Sequence, residues 1–236
     1  MIEYAAKSKS IERQDEPSMK SYFIRSMELR DIPQVSQIER EAFPAPWPAT
    51  NFKRELSSNA LTSYVVACEE MPKPTEPVFD VEAGSNPRPP KTMLESLRLG
   101  LKRLFGGKEK QEISPQFILG FAGLWFMVDE AHLANIAVRE VYRQRGIGER
   151  LLISTIELAI RHDARYFTLE VRASNKMAQA LYRKYGLLEV GKRRGYYIDN
   201  KEDAVIMTAE GITSSYYIDK FRKLKETHAQ KWGLKE

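Results

Sequence analysis

Two glycines in one short turn constrain the fold of this chain more than any other feature. Gly146 and Gly148 follow an apolar run that ends at Val138, and they precede a stretch in which apolar residues recur on one helical face. The pattern predicts a strand, a glycine-rich turn and a helix. Glycine lets a backbone approach a ligand closely, and the first N–H groups of a helix have no intrahelical partners. This glycine turn, residues 143–149, therefore predicts an anion site that suits a pyrophosphate.

The residue order in the glycine turn excludes two common phosphate loops. A P-loop needs G-x-x-x-x-G-K followed by Ser or Thr, and a dinucleotide-binding turn needs G-x-G-x-x-G with an acidic residue further on. The order here is R-x-x-G-x-G, from Arg143 to Gly148. Alone, this order is also consistent with a plain structural turn, so the flanking sequence has to decide between the two interpretations.

The length allows one large domain or two small ones, and we expect one domain with additions. The 236 residues are 42% hydrophobic, which is enough for a substantial core. The single cysteine, Cys68, excludes a disulfide framework, fits a reducing compartment, and is interpreted as a buried strand thiol rather than a nucleophile. One cysteine and three histidines offer no zinc-ligand spacing, so no metal site is predicted.

The hydropathy of the chain does not predict membrane insertion. Residues 1–20 mix charges and lack the apolar centre of a signal peptide, which predicts a mobile leader. The longest apolar run, residues 117–128, is too short to cross a bilayer as a helix. These features predict a cytoplasmic protein without a transmembrane segment.

The net charge is +5, and residues 91–112 and 219–236 together carry +6 of it, so the rest of the chain is near neutral. These two basic segments belong to two additions to a predicted domain at residues 21–211. The first is an insertion at residues 70–115, a proline-rich linker followed by a basic amphipathic helix, and the second is a basic helical tail at residues 212–236. The insertion helix has three interpretations. It packs as a lid on the protein's own surface, it binds ribosomal RNA or another acidic partner, or it lies at a membrane interface. Self-packing is favoured, because amphipathic helices usually cover a core.

Six segments in a fixed order, one of them the glycine turn, resemble the GNAT N-acetyltransferases, in particular the RimI-type enzymes of that family. The segments are IEREAFPAPW (38–47), NIAV (135–138), YRQRGIG (142–148), LEVRASN (169–175), ALYRKYG (180–186) and RRGYYIDNKEDAVIM (193–207). The resemblance extends over residues 22–209 apart from the insertion. It implies an α/β fold with a mixed seven-stranded sheet, helices on both faces, and the element order β-α-α-β-β-β-α-β-α-β-β, which agrees with the periodicity of the chain.

The resemblance implies an enzyme that transfers acetyl from acetyl-CoA to the N-terminal α-amino group of a protein. In RimI-type enzymes the acceptor is the N-terminal alanine of the eighteenth small-subunit ribosomal protein. An α-amine has a pKa near 7.7 to 8.0, whereas the side chain of lysine has a pKa near 10.4. An N-terminal acceptor is therefore deprotonated by a weaker base. Two alternatives stay open: a broader N-terminal or small-amine acetyltransferase, and a non-catalytic acyl-CoA-binding, ribosome-associated module.

The resemblance also implies two residues for proton transfer. Glu170 stands at the position of the family's general base, and Tyr182 is the candidate general acid. A phenol with a pKa near 10 stays protonated at neutral pH and can donate a proton to the leaving thiolate. Spacing alone favours other interpretations. It favours an ion pair between Glu170 and Arg172, which lie on the same side of one strand, and a core aromatic role for Tyr182, which belongs to an apolar helical stripe. The presence of both Glu170 and Tyr182 argues against lost catalysis.

The resemblance implies an acetyl-CoA site in three parts. Strand residues Ile136, Ala137 and Val138 offer backbone groups to the pantetheine amides, and Asn175 lies nearby at the start of the next helix. The glycine turn holds the pyrophosphate with Arg143, Gln144, Arg145, Gly146, Ile147, Gly148 and Glu149. The two arginines are either phosphate contacts or solvated side chains, and Glu149 stands where relatives often have a basic residue.

Two aromatic loops are expected to select the substrate. One contains Phe43, Pro44 and Trp47, and the other contains Tyr196 and Tyr197. Such loops in related enzymes grip the first residues of a peptide, although Tyr196 and Tyr197 are also consistent with ordinary strand aromatics. The expected partner is the N-terminus of a ribosomal protein or another protein, and the basic insertion and tail are candidates for contact with the ribosome or another acidic surface.

Overall fold

The computed structural model describes residues 22–43, 50–58, 61–69, 114 and 116–234. The predicted leader, and all of the predicted insertion except Ser114, lie outside these residues. The elements, in chain order, are β1 (Tyr22–Ser26), α1 (Ile32–Ala42), α2 (Phe52–Ser58), β2 (Thr62–Glu69), β3 (Ile118–Met127), β4 (Glu130–Val138), α3 (Ile147–Arg161), β5 (Tyr166–Arg172), α4 (Lys176–Lys184), β6 (Leu188–Tyr197), β7 (Glu202–Glu210) and α5 (Ser215–Trp232). Short 3-10 turns precede α1 and follow β4.

The seven strands form one mixed sheet in the order β1-β2-β3-β4-β5-β7-β6. All neighbours are antiparallel except β4 and β5, which are parallel. The predicted fold class and element order are confirmed. Cys68 is fully buried in β2, and burial raises the pKa of its thiol to about 11, as expected of a structural side chain.

Helices cover both faces of the sheet, as the sequence predicted. One hydrophobic core joins α3, α4 and α5 to the sheet and includes Leu151 and Phe221. A second core lies under α1 and α2 and includes Phe52. Phe121 and Ala122, which are consecutive in β3, belong to different cores, so the cores lie on opposite faces.

The sheet opens between β4 and β5. Their parallel pairing ends at Leu133 and Leu169. Beyond this point residues 135–138 of β4 remain paired with β3, whereas residues 170–172 of β5 remain paired with β7. The two strands therefore diverge and leave one edge of each without a strand partner. This β4–β5 opening, together with the glycine turn that follows β4, positions the candidate site.

Candidate active site

The glycine turn connects the end of β4 to the N-terminus of α3. Gly146 is the N-cap of α3 and has a φ of 77°, a left-handed conformation that favours glycine. The first helical hydrogen bond runs from Arg150 N–H to the Gly146 carbonyl. The N–H groups of residues 146–149 have no acceptor within the described part of the chain. Four donors at the positive end of a helix are suited to an anion such as a pyrophosphate.

The two arginines of the glycine turn are tied to neighbouring groups. Arg143 donates from Nε to the Val138 carbonyl over 3.2 Å, which fixes the turn to the end of β4. The guanidinium of Arg145 lies over the Tyr142 ring, 5.6 Å from its centroid. Both therefore add positive charge beside the free N–H groups.

Glu149 lies in the first turn of α3, but its carboxylate is engaged by side chains of α4 and α5. Oε1 accepts hydrogen bonds from Lys184 and from the Tyr185 hydroxyl at 2.7 Å, and Oε2 lies 3.4 Å from Nδ1 of His228. Burial raises the pKa of Glu149, but contacts with His228, Lys184 and Tyr185 outweigh burial and lower it to about 2. The carboxylate is thus ionised and neutralised by neighbours outside the turn.

The β4 wall of the opening contains Ile136, Ala137 and Val138, the residues predicted for the pantetheine. They pair with β3 on one side only. The preceding Asn135 has a buried Oδ1 atom without a hydrogen-bond partner among the described residues. This atom lies beside Gly123 of β3, on the paired side of β4, so the groups left for a ligand with amides are the backbone groups along the edge that faces β5.

Glu170 begins the diverging part of β5, directly after the last residue paired with β4. Its side chain is 9% exposed, and its two oxygens contact nitrogen atoms of side chains from two other strands. His132 Nε2 of β4 lies 3.1 Å from Oε2, and an Arg193 guanidinium nitrogen of β6 lies 2.9 Å from Oε1. The hydrogen bond with His132 is the main cause that lowers the pKa of Glu170, and Arg193 adds to it. The carboxylate is ionised at neutral pH.

The ion pair between Glu170 and Arg172 that spacing favoured is not present among the described residues. Arg172 contacts Asp199 at 2.9 Å and Glu202 at 3.2 Å instead. Both acidic partners belong to the turn between β6 and β7 or to the start of β7. Sequence reasoning also missed His132, which is brought beside Glu170 by the register of β4 against β5.

Tyr182 lies on α4 and is only 6% exposed. Its ring belongs to the core, as the stripe of apolar residues indicated, and burial raises the pKa of its hydroxyl above the ordinary value. The hydroxyl makes no hydrogen bond to any residue that the structure describes. Burial is the main cause that raises the pKa of Tyr197 to about 12, and the nearby Glu170 carboxylate adds to it. Tyr197 in turn adds to the rise that burial causes in the pKa of Tyr182, so it lies near both candidates.

Asn175 is the N-cap of α4, where its side-chain oxygen accepts a hydrogen bond from Ala178 N–H at 3.1 Å. This is a structural contact that also places Asn175 at the start of the helix carrying Tyr182. The side-chain amide nitrogen of Asn175 is therefore the group left to contact a ligand.

The two predicted substrate loops are only partly described. Phe43 is the C-cap of α1 and is 40% exposed, whereas Pro44 and Trp47 lie outside the described residues. Tyr196 and Tyr197 end β6 with their rings edge to face, 5.3 Å between centroids. The guanidinium of Arg172 lies 3.9 Å from the centre of the Tyr197 ring. Ring and guanidinium contacts thus hold this aromatic pair close to Glu170.

Two further properties concern the described residues alone. No group of three or more His, Cys, Asp or Glu side chains is arranged there to hold a metal ion. None of the helices that can be described is long and apolar enough to cross a membrane.

Comparison with known proteins identifies relatives along most of the chain. The model of the acetyltransferase (GNAT) family matches residues 75–187. A Bacillus subtilis (strain 168) protein, named as a candidate ribosomal protein bS18-alanine N-acetyltransferase, is 33% identical over 184 residues, which cover 78% of this chain and 92% of that protein. An N-alpha-acetyltransferase of Sulfurisphaera tokodaii is 29% identical over 194 residues, which cover 80% and 93%. The crystal structure of the ribosomal-protein-S18-alanine N-acetyltransferase from Escherichia coli is similar with a TM-score of 0.55 and 26% identity, covering 81% of this chain and 94% of that one.

Proposed function

This chain belongs to the acetyltransferase (GNAT) family, and we propose that it transfers the acetyl group of acetyl-CoA to the N-terminal α-amino group of a protein. The substrate we propose is the N-terminal alanine of the eighteenth small-subunit ribosomal protein, since relatives from Bacillus subtilis and Escherichia coli are named for that reaction. The observation that carries the proposal is the buried, ionised carboxylate of Glu170 in an opening whose other wall leads to the glycine turn.

Acetyl-CoA suits the residues of the β4–β5 opening. The N–H groups of residues 146–149, with Arg143 and Arg145, would hold the pyrophosphate. Residues 136–138 would offer backbone groups to the pantetheine amides, because they pair with β3 on one side only. When bound, acetyl-CoA supplies an acetyl group activated as a thioester.

Glu170 accepts the proton that the amine loses as the new amide forms. The lowered pKa of Glu170 makes it a weak base, so it requires an amine that is already partly unprotonated. At neutral pH the unprotonated fraction of an α-amine is about 300-fold larger than that of a lysine. The electrostatics of Glu170 thus favour an N-terminal acceptor over a lysine side chain.

His132 and Arg193 have different parts in this arrangement. His132 is largely buried at 16% side-chain exposure and fixes Oε2 of Glu170. Arg193 is 56% exposed, so a substrate can displace it from Oε1 at little cost. His132 is therefore a positioning residue for the base, and Oε1 is the oxygen that faces the incoming amine or a bridging water.

Tyr182 donates a proton to the sulfur as the thiolate leaves. Its raised pKa keeps the hydroxyl protonated at neutral pH, and no described residue accepts a hydrogen bond from it. A hydroxyl without an internal acceptor is available to a ligand atom. Glu170 and Tyr182 thus remove one proton and deliver one, and no covalent intermediate on the protein is needed.

The first residues of the protein substrate bind between the two aromatic loops. Tyr196 and Tyr197 are held near Glu170, and Phe43 presents a partly exposed ring at the start of the other loop. Aromatic surfaces of this kind contact a peptide with little loss of side-chain entropy.

Release of free CoA thiol from the whole protein, mixed with acetyl-CoA and a panel of peptides, tests the proposal. The panel begins with Ala-Arg, Ser or Met, and one further peptide has a blocked N-terminus and an internal lysine. Release with the alanine peptide, and none with the blocked lysine peptide, supports the proposed function. Equal release with all N-termini favours a broader N-terminal enzyme, and no release with any peptide, despite binding of acetyl-CoA, favours a non-catalytic module.

A further inference from the structure

The end of the C-terminal helix α5 packs directly on the glycine turn. A Cβ atom added to Gly146 would lie 2.5 Å from Cε2 and Nε1 of Trp232. That separation is below van der Waals contact, so the indole occupies the space that a side chain at position 146 would need. Gly146 is thus required twice, for its φ of 77° and for its contact with Trp232.

The position of Trp232 is fixed by the rest of α5. The Tyr217 hydroxyl donates to the Tyr185 carbonyl at 2.8 Å, and Lys225 lies 2.8 Å from Glu157 of α3. Gly233 ends the helix in a left-handed conformation directly after Trp232, and Leu234 N–H bonds back to the Ala229 carbonyl at 3.0 Å. This is a Schellman-type end, which fixes the direction of the last turn.

A second contact from α5 reaches the first turn of α3. His228 is 2% exposed, and neither ring nitrogen has a hydrogen-bond partner among the described residues. Its Nδ1 atom lies 3.4 Å from Oε2 of Glu149, on the side opposite Lys184 and Tyr185. The carboxylate is therefore contacted by three groups that lie outside the glycine turn.

This arrangement matters because a carboxylate in the first turn of a helix competes for the same N–H groups as a bound anion. Without its side-chain partners, the Glu149 carboxylate would accept hydrogen bonds from those N–H groups or repel a phosphate. Held by His228, Lys184 and Tyr185, it does neither. Trp232 at the same time packs against the backbone of Gly146, from which the free N–H groups begin.

We infer that α5 is a part of the donor site, in which Trp232 and His228 are positioning residues that hold the glycine turn and Glu149 in the conformation that binds the pyrophosphate of acetyl-CoA. The inference rests on the proposed function, and it assigns a role in the donor site to the C-terminal tail. Neither residue touches the reacting atoms. Their loss therefore weakens binding of acetyl-CoA and leaves the chemical step unchanged.

The test compares Trp232→Ala and Trp232→Phe with Tyr216→Ala, a substitution on the same helix at a residue that is 79% exposed. The dissociation constant of acetyl-CoA is measured by calorimetry, and kcat is measured at saturating acetyl-CoA with the alanine peptide, both well below the thermal midpoint of each protein. For Trp232→Ala we expect a dissociation constant raised about tenfold or more, with kcat within about twofold of the unsubstituted protein. Trp232→Phe recovers most of the affinity, and Tyr216→Ala leaves it unchanged.

Several outcomes separate this inference from the proposed function. Equal affinity for acetyl-CoA in Trp232→Ala and the unsubstituted protein overturns the inference alone. A fall in kcat without a change in affinity does the same. If the unsubstituted protein does not bind acetyl-CoA, the proposed function fails and the inference fails with it. Should Trp232→Ala not fold, His228→Gln replaces it, with the same expectation of weaker binding and unchanged kcat.

Discussion

Nε2 of His132 lies 3.1 Å from Oε2 of Glu170, across the parallel strands β4 and β5 and directly below the point where they diverge. The second oxygen of Glu170 lies 2.9 Å from Arg193, which is mostly exposed. The contact with His132 is therefore buried and fixed, whereas a substrate can replace Arg193 in the other contact. A carboxylate held in this way has a lowered pKa, a defined orientation and one oxygen that can exchange its exposed arginine partner for a substrate.

Replacing the proposed base is expected to abolish most of the turnover. Glu170→Gln preserves the shape of the side chain but cannot accept a proton, so kcat should fall by about 10²- to 10⁴-fold. The affinity for acetyl-CoA, measured by calorimetry, should stay within about twofold, because Glu170 is not among the residues proposed to hold the donor. A Glu170→Gln protein with more than half of the normal kcat would exclude the role.

His132 is expected to act through Glu170. Removing the imidazole in His132→Ala takes away the main cause of the lowered pKa, so the pKa of Glu170 should rise, as followed by carboxyl-carbon NMR. The value of kcat/KM should fall by about 10- to 100-fold, the loss typical of removing the hydrogen-bond partner that orients a metal ligand. His132→Gln keeps an N–H donor and should recover part of the activity. Glu130→Gln is the control, since Glu130 lies 3.9 Å from the other ring nitrogen and is more exposed. An unchanged pKa for Glu170 in His132→Ala would contradict this account.

Tyr182→Phe separates the packing of the ring from the chemistry of the hydroxyl. The ring remains in the core and the hydroxyl has no internal hydrogen bond to lose, so the free energy of unfolding should change by less than about 1 kcal/mol. We expect kcat to fall by about tenfold or more while acetyl-CoA affinity is kept. Tyr216→Phe, at an exposed tyrosine, should alter neither quantity. Normal kcat in Tyr182→Phe would leave Tyr182 as a core aromatic only.

Glu149 is expected to make the fold sensitive to acid. Its pKa in the folded protein is about 2, below the ordinary value of 4.5, so the charged form stabilises the fold at pH values above 4.5. A shift of this size corresponds to at most about 3 kcal/mol of the free energy of unfolding, and this contribution is lost as the pH falls from about 5 towards 2. Thermal unfolding midpoints measured between pH 7 and pH 3 should therefore fall more steeply for the unsubstituted protein than for Glu149→Gln. Parallel slopes for the two proteins would show that Glu149 does not carry this stabilisation.

Local patterns were sufficient to predict most of the fold. The glycine turn required a strand before it and a helix after it, and strand alternation together with helical periodicity gave the element order. These signals depend on residues that are close in the sequence, so they can be detected without a structure. The structure adds that Gly146 is a left-handed N-cap, a conformation that favours glycine.

The partners of the site residues could not be predicted in the same way. Arg172 and Glu170 share one side of a strand, yet the β6–β7 turn brings Asp199 and Glu202 to Arg172. His132 reaches Glu170 only because of the register between two strands that a long helix connects. Such contacts are set by tertiary pairing, which no local spacing reports. The contact of Trp232 with Gly146 is of the same kind.

The central claim is that the acceptor is an N-terminal α-amine. The most direct measurement uses one peptide that carries both a free N-terminal alanine and an internal lysine, incubated with the protein and acetyl-CoA, and locates the acetyl group by fragmentation in a mass spectrometer. We expect a single acetyl group on the alanine nitrogen, formed about 10²- to 10⁴-fold more slowly when Glu170→Gln replaces the unsubstituted protein. Acetylation of the lysine side chain with the alanine nitrogen left free would contradict it.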